Sequence, residues 1–170
     1  MPREAFLVAG LALLAPLLAA PAQAQQRPTQ LGSFQSWTAA TVTDNGQKVC
    51  YAFARAARSQ GAPGGRGSVT LTVAHRPNGR DQVALATGFA LARGAVSELE
   101  VGDKEYRSYG VVQSNAFFQG GEELVAAFRR GRDAEARTPG PNGRGTVTDT
   151  FPLSGFTAAY EAISKACPAR

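Results

Sequence analysis

Histidine, cysteine, tryptophan and methionine are scarce in this chain, and each shortage excludes something. Its 170 residues include one histidine (His75), two cysteines (Cys50 and Cys167), one tryptophan (Trp37) and one methionine. A zinc site needs several His, Cys or carboxylate ligands, and no such cluster surrounds His75 in the sequence. No Gly-x-x-x-x-Gly-Lys-Ser/Thr or Gly-x-Gly-x-x-Gly loop opens a helix, so no phosphate cradle for a nucleotide is expected. A serine hydrolase would need His75 as its base, and no Gly-x-Ser-x-Gly elbow is present. Glu98, Glu100, Asp103 and Glu105 are too sparse for a calcium loop and read as the solvated face of a hairpin. No cofactor and no metal are therefore expected.

Long apolar runs are also missing, except at the start. Arg3 precedes an almost wholly apolar segment from Ala5 to Leu18, and Ala22-Gln23-Ala24 fits the small-x-small cleavage rule. Residues 1–24 read as a secretory signal peptide. A membrane anchor is the alternative, but the run is short of the ~18–20 residues that span a bilayer. The expected location is periplasmic or secreted. In an oxidising compartment two cysteines pair, which predicts a Cys50–Cys167 disulfide; the alternative is two buried free thiols. The chain carries 18 Lys+Arg against 13 Asp+Glu, a net charge of +5. Outside the cytoplasm nucleic acid is not the expected partner. An anionic envelope component or an acidic protein partner is, unless the charge serves solubility alone.

What the chain has in quantity is turn chemistry between β-prone runs. Residues 25–30 read as a disordered leader and 31–168 as a single β-rich domain. Asn-Gly favours two-residue hairpins because a type I′ turn needs positive φ twice. It recurs at Asn45-Gly46, Asn78-Gly79 and Asn142-Gly143, and Gly102-Asp103 predicts a fourth hairpin. Val49, Tyr51 and Phe53 alternate with Cys50 and Ala52, and Val69, Leu71 and Val73 with Thr70 and Thr72, the pattern of half-buried strands. These runs predict a mainly β chain, an antiparallel sandwich or barrel built from hairpins. Trp37 reads as core, with an exposed carbohydrate platform as the alternative. The Gly-rich loops 61–67 and 139–145 read as turns rather than Arg-Gly nucleic-acid tracts.

Two segments have helical period. Gly121–Arg130 places Glu122 and Glu123 at its positive end and Arg129 and Arg130 at its negative end, with Gly131 as its stop. In the closing segment, Phe156, Ala159, Tyr160, Ile163 and Cys167 share one face, Ser154 is the expected N-cap, and Pro168 ends the helix. That face is expected to pack on the sheet and deliver Cys167 to Cys50, where Ala52 leaves room for its approach. Arg129, Arg130 and Arg132 form the candidate basic surface.

Phe34-x-x-Trp37, Val49-Cys50-Tyr51, Val73-Ala-His-Arg-Pro77, Leu124-Val-Ala-Ala-Phe-Arg-Arg-Gly131 and the closing run from Thr148 to Cys167 resemble the invasion-associated locus B family of small exported alphaproteobacterial proteins. Its most specific part here is Leu153-Ser-Gly-Phe156 with the helix that follows. The resemblance covers nearly all of the chain after the signal peptide. It implies a compact β-sandwich, a shorter subgroup without the family's central cysteine pair, and no defining enzymatic activity. The expected function is an exported, non-enzymatic envelope or host-surface interaction protein. The alternatives are a periplasmic inhibitor or ligand-binding module, and a small hydrolase using His75.

Overall fold

The computed structural model describes residues 27–169; the expected signal peptide and the start of the expected leader lie outside these residues. Strand pairing begins at β1 (Thr29–Phe34), so Thr29 and Gln30 belong to the sheet and not to a leader: they pair with Thr41 and Ala40 of β2 (Trp37–Asp44). There follow β3 (Gln47–Arg55), β4 (Arg58–Gln60), β5 (Thr70–Arg76), β6 (Gly79–Ala86), β7 (Glu98–Val101), β8 (Lys104–Val112), β9 (Asn115–Phe118), α1 (Gly121–Arg130), β10 (Asp133–Pro139), β11 (Thr146–Pro152) and α2 (Phe156–Ala166).

The ladder runs β1-β2-β3-β5-β6-β9-β8-β7-β10-β11-β4, with antiparallel neighbours throughout. Two places turn it into two facing halves. β8 pairs with β7 along its first half and with β9 along its second. After β3, Ala56 N–H bonds Val69 O while Ala57 N–H bonds Thr150 O, and the chain enters the other half as β4. Strands that change sheets at a bend make the corners of a sandwich. Side chains of both halves and both helices meet in one core. The fold is mainly β, as expected, with α2 packed on β1, β2, β3 and β5, and α1 on β6 and α2.

Local chemistry explains where the turns follow expectation. At Asn45-Gly46 both central residues take positive φ (49° and 76°) and Asp44 faces Gln47, as a type I′ hairpin requires. Pro77 prevents the same turn in the next hairpin, because its ring holds φ negative. Pro77 and Asn78 sit between paired Arg76 and Gly79, the register slips after Ala74, and Asp81 takes the positive φ (53°). α1 spans the expected residues. Gly131 follows it in extended conformation, and it is needed for space: a Cβ there would crowd Val101 and Leu153.

The helix α2 takes the face of β3 that carries Cys50 and Ala52, as expected. Cys50, Ala52 and Ala54 are the inward side of β3, while Tyr51 and Phe53 stack on each other outside. The small inward residues make room for α2, which supplies the bulk. Phe156 meets Trp37 at 4.8 Å and Phe128 at 5.2 Å, both edge-on. Trp37 is fully buried and its indole N–H donates to Pro152 O, so it is no carbohydrate platform. The N-cap of α2 is Gly155 (φ 88°), not Ser154. The backbone at Phe34 passes so close that any Cβ at 155 would overlap its carbonyl, while Ser154 O accepts the Ser36 N–H.

Two links fasten the closing segment. The Cys50–Cys167 disulfide is present, with Cα atoms 6.0 Å apart and a sequence separation of 117. Arg66, from the Gly-rich loop, makes a paired contact with buried Asp149 of β11 (2.8 and 2.6 Å), to which Ser59 Oγ also donates. The loop is thus an ionic strap. Cys50→Ser or Cys167→Ser should cost about 2–5 kcal/mol, and Phe156→Ala about 3–5 kcal/mol. Asp149→Ala, which strands a buried guanidinium, should cost about 3–5 kcal/mol. Chemical denaturation checks all four. Reductant should destabilise the wild type and leave the two serine variants unchanged.

Candidate functional site

Leu71, Val73 and His75 alternate onto the inward face of β5, and His75 lies directly across from Cys50. The imidazole is therefore buried beside the bridge, 1% exposed, and meets the last two turns of α2. Its Nε2 is 3.0 Å from Ser164 Oγ, and the Tyr160 ring stands edge-on at 5.2 Å. The Asp81 backbone N–H donates to Nδ1 at 3.4 Å; Asp81 Oδ1 lies 3.6 Å from Nδ1 and accepts the Tyr160 hydroxyl at 2.7 Å. The register slip in the β5–β6 hairpin is what turns Asp81 toward this cluster.

Ser164, His75 and Asp81 follow the order of a hydrolytic triad, but the proton is placed the other way. If Nδ1 accepts from the Asp81 backbone N–H, the neutral ring carries its proton on Nε2 and donates to Ser164 Oγ, where a general base would have to accept. Ser164 also sits inside a helix, where neighbouring N–H groups are committed four residues back and none is left for an oxyanion. Burial pushes the His75 pKa down, Arg80 adds to the effect, and Asp81 and the Ala74 backbone oppose it. Burial, then the bond to Asp81, raises that of Tyr160. The cluster bolts α2 to the sheet.

Next to it a cleft of about 690 Å3 opens between the β2–β3 and β5–β6 turns and the end of α2. Every charged residue lining it is a cation: Lys48, Arg76 and Arg80. Lys48 donates to Ala166 O (2.9 Å) and Arg80 to Cys167 O (2.6 Å), satisfying the carbonyls that a helix C-terminus leaves open. Arg76 pairs with Asp44 at the surface. The three arginines of α1 and its exit have different neighbours. Arg129 lies over the Tyr160 ring at 4.9 Å, Arg130 acts on Tyr106 beside Lys104, and exposed Arg132 is 3.4 Å from Asp133. Only Arg129 joins the Tyr160 side, where Arg80 also acts.

A family model described as invasion associated locus B (IalB) protein matches residues 37–164. The chain belongs to the invasion associated locus B family. Comparison with curated proteins and with solved structures returns no match. The matched IalB segment contains His75, Asp81, Tyr160 and Ser164, all four members of the cluster. The sequence shows only His75 and the helical face of Tyr160. Ser164 stands four residues after Tyr160, the one local signal that pairs them.

A buried neutral histidine ties IalB stability to pH. Its folded pKa lies below the unfolded value near 6.5, so the unfolded state takes up the proton first. The contribution is complete above about pH 6.5 and is lost as pH falls through the folded pKa. Thermal unfolding between about pH 7.5 and 5 should show a smaller drop for His75→Gln than for the wild type. Equal drops would remove His75 from the acid response.

Proposed function

We propose that this IalB protein is an exported, non-enzymatic binding protein of the periplasm or cell envelope, and that it takes an anionic envelope component at the cleft beside the end of α2. The observation that carries this reading is the charge of that cleft, whose charged lining is wholly cationic. The family is not known as an enzyme family, which supports the non-enzymatic part. The apolar segment at residues 5–18 and the disulfide support export. A periplasmic module for a small anion is the second reading, favoured by the recessed shape of the same cleft.

The test uses vesicles of phosphatidylglycerol and of phosphatidylcholine, with free inorganic phosphate as competitor. Binding to the anionic vesicles should fall with salt. It should weaken about fivefold for each of Arg76→Gln and Lys48→Gln, from about 1 kcal/mol per basic residue at an anionic surface. Arg132→Ser should change it less. Phosphate that competes at equal strength favours the small-anion module. Binding indifferent to salt and to the cleft substitutions returns the charge to solubility.

A further inference from the structure

β8 changes partners at an irregularity. Ser108 faces Phe118 and Gly110 faces Phe117, so Tyr109 is an extra residue in the ladder. Such bulges re-aim a side chain, and Tyr109 points outward, 65% exposed. Val96 (46%) is exposed and lines one slot with it. Together they bring two large exposed apolar side chains to one place.

On the side away from β9, residues Tyr109 to Val112 have no backbone partner among the described residues. The chain between β6 and β7 crosses there as a strap. It touches down where Leu91 N–H meets Gln113 O (2.8 Å) and where Ser108 N–H meets Ser97 O (2.9 Å). Between these points it bows out through a turn closed by Ala95 N–H and Ala92 O. A slot of about 380 Å3 remains between strap and strand. Leu91, Val96, Tyr109 and Val111 give it apolar walls, and its one charged lining residue is Arg93, which makes no ion pair among the described residues.

We propose that this slot captures the free C-terminus of a partner polypeptide, an extended apolar chain end whose α-carboxylate meets Arg93. An unpaired strand edge binds extended main chain through ladder hydrogen bonds, and apolar flanks suit apolar side chains at alternate positions. The lone cation supplies the partner for a carboxylate. The touch-down points close the slot at both ends, so a chain end enters where a continuous strand cannot pass. The strap also stands before β8 in every copy and blocks edge-to-edge pairing of two copies. From Ser108 to Gln113 the edge spans about 17 Å at ~3.3 Å per residue, room for about four residues.

The slot shares no lining residue with the cationic cleft, so each proposal fails by itself. The probe is a pool of N-acetyl tetrapeptides ending in Val, Leu or Phe, supplied as free acids and as C-terminal amides, added to isotope-labelled protein. The free acids should shift the amide resonances of Tyr109, Gly110 and Val111 and bind about tenfold more tightly than the amides, the scale of a charge-assisted contact. Arg93→Gln should bring the acids to the level of the amides, and Tyr109→Ala should weaken both. Both side chains are exposed, so the variants should unfold as the wild type does and keep its vesicle binding. Shifts elsewhere, no shifts, or equal binding of acids and amides would overturn the proposal.

Discussion

A large helix can lie against β3 only because that strand turns its small side chains inward. Cys50, Ala52 and Ala54 form a shallow floor, and Phe156, Ala159 and Ile163 fill the space above it. The disulfide, the His75 cluster and the cation-capped end of α2 all depend on that separation. A larger residue at 52 would lift α2 and part Ser164 from His75 and Cys167 from Cys50 together. The aromatic side chains of β3, Tyr51 and Phe53, stack on the outer face instead.

Much of this architecture is legible from local chemistry. Asn45-Gly46 makes its hairpin because nothing nearby opposes positive φ, and the α1 boundaries follow its charges and glycines. Where two local signals compete, the stronger constraint decides: Pro77 overrides the Asn-Gly that follows it. Position 155 is glycine because of a carbonyl 121 positions earlier in the chain, at Phe34, and no window around Ser154 contains that information. β9 and the second half of β8 give little periodic signal, since Gly110 and the Tyr109 bulge break the alternation. The same holds for the site. His75 is visible as the only imidazole, but its partners Asp81 and Ser164 become partners through a register slip and a helix docked from the far end of the chain. The Arg66–Asp149 contact is hidden likewise, in a loop that reads only as glycine-rich.

The His75 cluster shows why residue order is a poor guide to chemistry. Ser164, His75 and Asp81 lie side by side, yet the Asp81 carboxylate is 3.6 Å from Nδ1 and it is the Asp81 backbone N–H that donates there. The cations beside it have two duties: Lys48 and Arg80 close the helix end, and their charge still faces the cleft. A surface that binds through such residues uses side chains already held in place, so little rotamer freedom is lost when an anion arrives.

The position of α2 in the chain has a bearing on when folding can occur. Phe156, the ring on which Trp37 and Phe128 converge, lies more than a hundred positions after Trp37 in the sequence. Until it arrives, β1, β2 and β3 have an inward face with nothing to cover it, and the bridge lacks one sulfur. The stabilising contacts link distant segments, a topology that folds slowly and late. Such a polypeptide gains its core and its covalent closure in one event, the docking of α2.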